Sequence, residues 1–210
     1  MRVKSKWHKT QVRTIEDVSS ALAFNIWRIT KNHLEDLINE AFVIEKAQVF
    51  AVIQEYLCFL IQSADRLVYS SFSPQQRQKL ISLIIEQSAA YYQENKSDRL
   101  GEGEYWQEFI QTYASRAQDY SDYKFKNDEP NYLFLRYFAD KIQKAMTAAD
   151  EKWIVQQMVE IQAPKAFQAI QKSVNELASA KDIIAKKQSA KPKTPKTPRS
   201  KRPSTRADLQ

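Results

Sequence analysis

Glycine is scarce in this chain, and its scarcity limits the possible folds. The 210 residues include 2 glycines, Gly101 and Gly103, close together near the middle. All-β folds and nucleotide-binding βαβ folds need glycine in tight turns and phosphate loops. The composition therefore predicts an all-α protein: a single helical bundle of six to seven helices with a disordered basic C-terminal tail. The length is sufficient for one sizeable core plus such a tail.

Cysteine and histidine are also rare, which limits the metal sites that can form. With 1 cysteine, Cys58, the chain can make neither an internal disulfide nor a cysteine-based zinc site. A carboxylate-bridged metal pair in a helical bundle needs Glu-x-x-His pairs, and neither His8 nor His33 follows an acidic residue at that spacing. We therefore predict no metal and no cofactor. His33 lies on an apolar helical stripe, which indicates a buried, hydrogen-bonded side chain.

Long hydrophobic runs are missing as well. The longest candidate, residues 56–61, is bounded by Glu55 and Gln62, so it is far shorter than the roughly eighteen apolar residues of a membrane span. The basic N-terminal residues are not followed by the apolar segment of a secretion signal. Together with the single cysteine, these features favour a soluble protein of the cytoplasm.

Charge is distributed unevenly along the chain. Residues 1–13 hold five basic and no acidic residues, a net charge of +5. Residues 181–210 hold ten basic and two acidic residues, a net charge of +8, and the 17 basic and 23 acidic residues between the two ends give −6. We divide the chain into a basic N-terminal arm (1–13), a helical domain (14–185) and a Lys/Pro-rich tail (186–210). The tail lacks aromatic residues and cannot bury enough surface to become ordered.

The tail carries the clearest indication of function. Its segment KPKTPKTPRSKRP, residues 191–203, resembles the Lys/Pro-rich tails of linker histones and of some bacterial nucleoid-associated proteins. The resemblance is confined to the tail, and it implies binding of nucleic acid or another polyanion through charge, without reading of sequence. The alternative is that the tail only adds solubility to a helical protein-interaction or apolar-ligand-binding module. The residues predicted to contact the polyanion are Lys186, Lys187, Lys191, Lys193, Lys196, Arg199, Lys201, Arg202 and Arg206.

Apolar spacing and capping residues place the first three helices. Residues 49–68 are apolar over most of a helical circumference, so other helices should wrap around this one. The first helix is predicted to start after a Thr14 cap and to end near residues 39–42. A third helix should begin at Ser73, which can form a capping box with Gln76, and should end in the polar run 93–99.

Proline and acidic residues mark the later helix boundaries. A fourth helix follows the two glycines, and Asp128 with Pro130 marks the start of the fifth. Pro164 is expected to end or kink the sixth helix and to precede a seventh. The seventh has a coiled-coil-like spacing, and we expect this face to pack on its own domain, with a homodimer as the alternative. The residues of that face are Phe167, Ile170, Val174 and Leu177.

Aromatic residues between the fourth and fifth helices form a second candidate site. Tyr120, Tyr123 and Phe125 lie in a charged connection where they need not be buried. Aromatic surfaces are frequent at protein interfaces and in small-molecule pockets. We therefore predict that these three residues contact a protein partner or an apolar ligand.

No catalytic residue is assigned from the sequence. Cys58 lies among apolar neighbours, where burial raises the pKa of a thiol and makes it inert, and the chain has no Gly-x-Ser-x-Gly motif. Carboxylate chemistry around Glu55 or Asp65 is the remaining enzymatic possibility. These residues are ten positions apart on one helix, so they point about 80° apart and make a poor catalytic pair. We predict a non-enzymatic binding protein.

Overall fold

The computed structural model describes residues 13–39, 44–45, 48–146 and 152–178. These residues confirm the predicted all-α bundle of six to seven helices, with one short hairpin; the predicted disordered tail lies outside them. The helices are α1 (Ile15–Asn39), α2 (Val49–Val68), α3 (Pro74–Leu100), α4 (Tyr105–Ser121), α5 (Tyr132–Ala145), α6 (Lys152–Gln157) and α7 (Ala163–Leu177). A π-helical turn (Met158–Gln162) joins α6 to α7, and the strands are β1 (Phe125–Lys126) and β2 (Glu129–Pro130).

Helix α2 is the centre of the bundle, as its sequence predicts. It contacts α1, α3, α4, α5 and α7. The side chains from Leu57 to Ile61 are fully buried. The α2 helix runs antiparallel to α3, because Phe50 near its start contacts Tyr92 late in α3. Most of the apolar surface of α2 is removed from water by the surrounding helices, so this helix contributes strongly to hydrophobic stabilisation.

Local capping fixes the starts of α1 and α3. The Asp17 amide donates to the Thr14 hydroxyl at 3.1 Å, and the Thr14 amide donates to the Asp17 carboxylate at 3.0 Å. At α3 the Gln76 amide donates to the Ser73 hydroxyl at 3.3 Å, and the Ser73 amide donates to the Gln76 side chain at 3.1 Å. Both predicted starts are confirmed, since α1 begins directly after Thr14 and α3 directly after Ser73. In each cap the two partners lie three positions apart.

The end of α3 differs from the prediction. The helix continues through the polar run 93–99 and ends at Leu100, before Gly101 with a φ of 88°. The run stays helical because its side chains bind the start of α4. The Gln93 amide nitrogen donates to the Gly103 carbonyl at 2.9 Å, and the Gln93 amide oxygen accepts from the Trp106 backbone at 2.7 Å.

A hairpin, rather than an irregular connection, joins α4 to α5. Its turn residues Asn127 and Asp128 have φ angles of 55° and 60°, a left-handed conformation that asparagine and aspartate tolerate. The predicted start of α5 at Asp128 and Pro130 is therefore wrong by several residues. Asn131 caps α5 instead, because its side chain accepts from the Phe134 amide at 2.9 Å.

Pro164 does not end α6, and the helical backbone is not interrupted before it. The helix passes through the π-helical turn, where the Ala163 amide donates to the Met158 carbonyl five residues earlier. Pro164 then lies in the first turn of α7, where a missing N–H is tolerated. In α7 the side chains of Phe167, Ile170 and Val174 are buried, and Leu177 packs on the same core. The expected packing of this face on its own domain is confirmed, and the burial of Phe167, Ile170 and Val174 leaves little of the face exposed for the alternative homodimer.

Candidate functional site

The nine tail cations, Lys186, Lys187, Lys191, Lys193, Lys196, Arg199, Lys201, Arg202 and Arg206, lie outside the described residues. Their predicted contact with nucleic acid therefore stays a prediction. The described chain reaches Ala178 at the end of α7, where the Arg13 side chain donates to the Glu176 and Leu177 carbonyls at 2.8 and 3.3 Å. The start of the helical body is thereby held against its end.

The predicted aromatic surface is brought together, but part of it is core. Tyr120 is 1% exposed, and its ring centroid lies 4.5 Å from that of Phe134. Burial raises the pKa of its phenol well above the ordinary value. Tyr123 and Phe125 are partly buried, and the Phe125 ring lies 4.9 Å from Phe134. The expectation that Tyr120 lies on a surface is wrong because α4 continues past it and turns it inward with the rest of the apolar face.

Glu55 is bound by an arginine that the sequence did not indicate. The Glu55 side chain is 9% exposed and pairs with Arg116 of α4 through two nitrogens, with Nη2–Oε1 and Nε–Oε2 distances of 2.7 and 2.9 Å. These hydrogen bonds hold the pKa of Arg116 above its ordinary value. Because the two residues are 61 positions apart, no local pattern could have revealed the pair.

Asp65 has a different partner on a different helix. The Arg77 side chain of α3 binds both Asp65 oxygens, one of them through Nε at 2.7 Å, and its guanidinium lies 4.7 Å from the centre of the Tyr69 ring. Glu55 and Asp65 therefore point to different helices, and each forms an ion pair. This arrangement gives no support to a shared carboxylate site.

A lysine enclosed by aromatic rings lies where α3 meets α4. Lys96 Nζ is 2.7 Å from both Glu108 oxygens and 3.1 Å from the Tyr92 hydroxyl. It also lies 4.6 Å from the centre of the Tyr105 ring, 5.2 Å from that of Tyr92 and 6.0 Å from that of Phe50. Aromatic faces attract cations, and here the protein's own ammonium group occupies the enclosure. Lys96 lies in the polar run 93–99, where the third helix was predicted to end, so the sequence did not indicate this cluster.

Two rare residues have the environments that the sequence predicted. Cys58 is fully buried, and burial raises the pKa of its thiol well above the ordinary value. His33 is 7% exposed; its Nδ1 lies 3.1 Å from the Gln162 amide oxygen, and its ring stacks 5.8 Å from Tyr56. The π-helical turn is the element that carries Gln162 to this position. Both side chains are therefore part of the buried core.

Within the described ranges, no three His, Cys, Asp or Glu side chains come together as a metal site would require. No helix in the same ranges is long and apolar enough to cross a membrane. Comparisons with protein-family models, curated proteins and solved structures found no significant match to the chain.

Proposed function

We propose that this chain is a non-enzymatic binding protein of the cytoplasm whose basic tail engages nucleic acid through charge. The helical body would recognise a protein partner or a second copy of itself. The observation that carries the proposal is the segregation of charge: residues 186–210 hold nine basic residues and one acidic residue, whereas residues 14–180 have a net charge of −6. The tail therefore has too few acids of its own to neutralise its cations.

Ion pairing in the described body supports this division of roles. Arg116, Arg77 and Lys96 each bind a carboxylate of another helix. These paired cations stabilise the bundle and are poorly placed to attract a phosphate backbone. A run of tail cations can instead follow such a backbone and release its condensed counterions, which favours binding at low salt.

The test compares three chains: the full protein, a chain ending at Lys187, and a full-length variant with all nine tail cations changed to Gln. Binding to labelled duplex DNA and to single-stranded RNA is measured by fluorescence anisotropy across a salt series. The Gln variant keeps the length and prolines of the tail, so it isolates charge. If nine charges contact phosphates, the slope of log K against log salt should be about −8 for duplex DNA and about −6 for a single strand.

The expected loss of affinity is large enough to measure. Those slopes correspond to about 10⁵-fold for DNA and about 10⁴-fold for RNA between 50 and 200 mM salt. Binding that persists in the Gln variant with the same slope would contradict the proposed role of the tail. Absence of binding by all three chains would favour the alternative, an interaction or apolar-ligand module with a solubilising tail.

A further inference from the structure

An open apolar cleft lies at the end of the bundle where α1, α2 and α3 meet. Its volume is about 340 Å³, within the range of small-molecule sites. Ile38 and Leu100 are 50% and 52% exposed at its edge. The cleft is separate from the aromatic set at the hairpin. Its apolar lining residues are Trp27, Leu34, Ile38, Val49, Phe50, Ile53 and Leu100.

The charged residues of the lining have a net positive charge. Lys31 and Glu35 of α1 and Arg99 of α3 line the cleft, and all three are exposed. Within the described part of the chain, neither Lys31 nor Arg99 forms an ion pair, although nearby Lys96 binds Glu108. Two cations beside one acid give the cleft a net charge of +1, which complements an anionic group attached to an apolar body.

We propose that this cleft binds a fatty-acid carboxylate, with the alkyl chain on the apolar lining and the carboxylate held by Lys31 and Arg99. From Trp27 to Ile38 the lining extends over eleven helical positions, a length of about 16 Å. An extended chain of about ten carbons is shorter than this rise along α1, so it fits within the apolar lining. The site is independent of the tail and goes beyond the proposed nucleic-acid function.

The charge requirement is tested with three ligands of equal chain length. Decanoate, decanol and decylammonium are titrated calorimetrically into the full-length chain whose nine tail cations are changed to Gln, below the solubility of decanol and the micelle concentrations of the two ionic ligands. That variant prevents the tail from binding the anion. We expect saturable one-to-one binding of decanoate that is about tenfold tighter than that of decanol, the equivalent of one charge-assisted hydrogen bond. Decylammonium should bind more weakly than decanol.

Substitutions then locate the site. Lys31→Gln with Arg99→Gln should reduce decanoate binding to the level of decanol, whereas Lys124→Gln with Lys126→Gln on the hairpin should have no effect. Ile38→Asp, at a position that is already half exposed, should weaken decanol through the lost apolar contact and decanoate further through the added negative charge. The same change at exposed Leu133 is the matched control. Equal affinity for the three ligands, absence of saturable decanoate binding, or unchanged affinity after Ile38→Asp would overturn the proposal.

Discussion

Replacing Arg116 by Met should destabilise the bundle through the carboxylate it leaves behind. Glu55 lies in the most buried helix with its side chain 9% exposed, so its charge would lose both of its short hydrogen bonds and gain little water. Removing one partner of a buried ion pair costs about 3–5 kcal/mol. Because the Arg116 side chain is 19% exposed and some water reaches the pair, we expect the lower end, about 3 kcal/mol.

Urea unfolding followed by far-UV circular dichroism gives the free energy of unfolding for each variant. Glu55→Met combined with Arg116→Met should recover most of the loss, because no charge is then left buried without a partner. Arg136→Met is the control: it breaks the exposed pair with Asp140, whose side chains are 46% and 39% exposed, and it should cost about 0.5 kcal/mol or less. An Arg116→Met loss as small as this control, with no recovery in the double variant, would contradict the expected cost of an unpaired Glu55 carboxylate.

Three further predictions concern capping, turn conformation and burial. Ser73→Ala should lower the free energy of unfolding by about 1 kcal/mol through loss of the α3 cap, whereas exposed Ser71→Ala should change it little in the same urea assay. Asp128→Gly should raise it by about 0.5 kcal/mol, because glycine adopts the left-handed turn more readily; a loss would contradict the turn assignment. Burial raises the pKa values of Tyr113 and Tyr120 above the ordinary 10.0, so stability present below about pH 10 should be lost as pH rises above it. A free energy of unfolding that is flat across that range would count against their burial.

Local signals explain what the sequence could predict. The caps at Thr14 and Ser73 use side chains three residues from their partners, and the apolar spacing of α2 identifies the central helix from its own residues. His33 on an apolar stripe was correctly expected to be buried and hydrogen-bonded, although its partner Gln162 is 129 positions away. Patterns within one turn or one helix therefore predicted element type and burial.

Distant contacts explain what the sequence could not predict. The polar run at the end of α3 resembles a helix end until Gln93 is seen to bind Gly103 and Trp106 of the following segment. Pro164 suggests a break, but the π-helical turn lets the backbone continue. Glu55 seemed a candidate for chemistry because its partner Arg116 lies 61 positions away. The interpretations of the polar run and of Glu55 changed because a side chain has a partner outside its own segment, whereas that of Pro164 changed because of the backbone conformation before it.

One comparison decides whether the tail binds nucleic acid through its cations. Affinity for duplex DNA is measured from 50 to 200 mM salt for the full chain and for the variant with nine tail cations changed to Gln. We expect a slope of about −8 for the full chain and loss of nearly all binding in the variant. Equal slopes and affinities for the two proteins would contradict it.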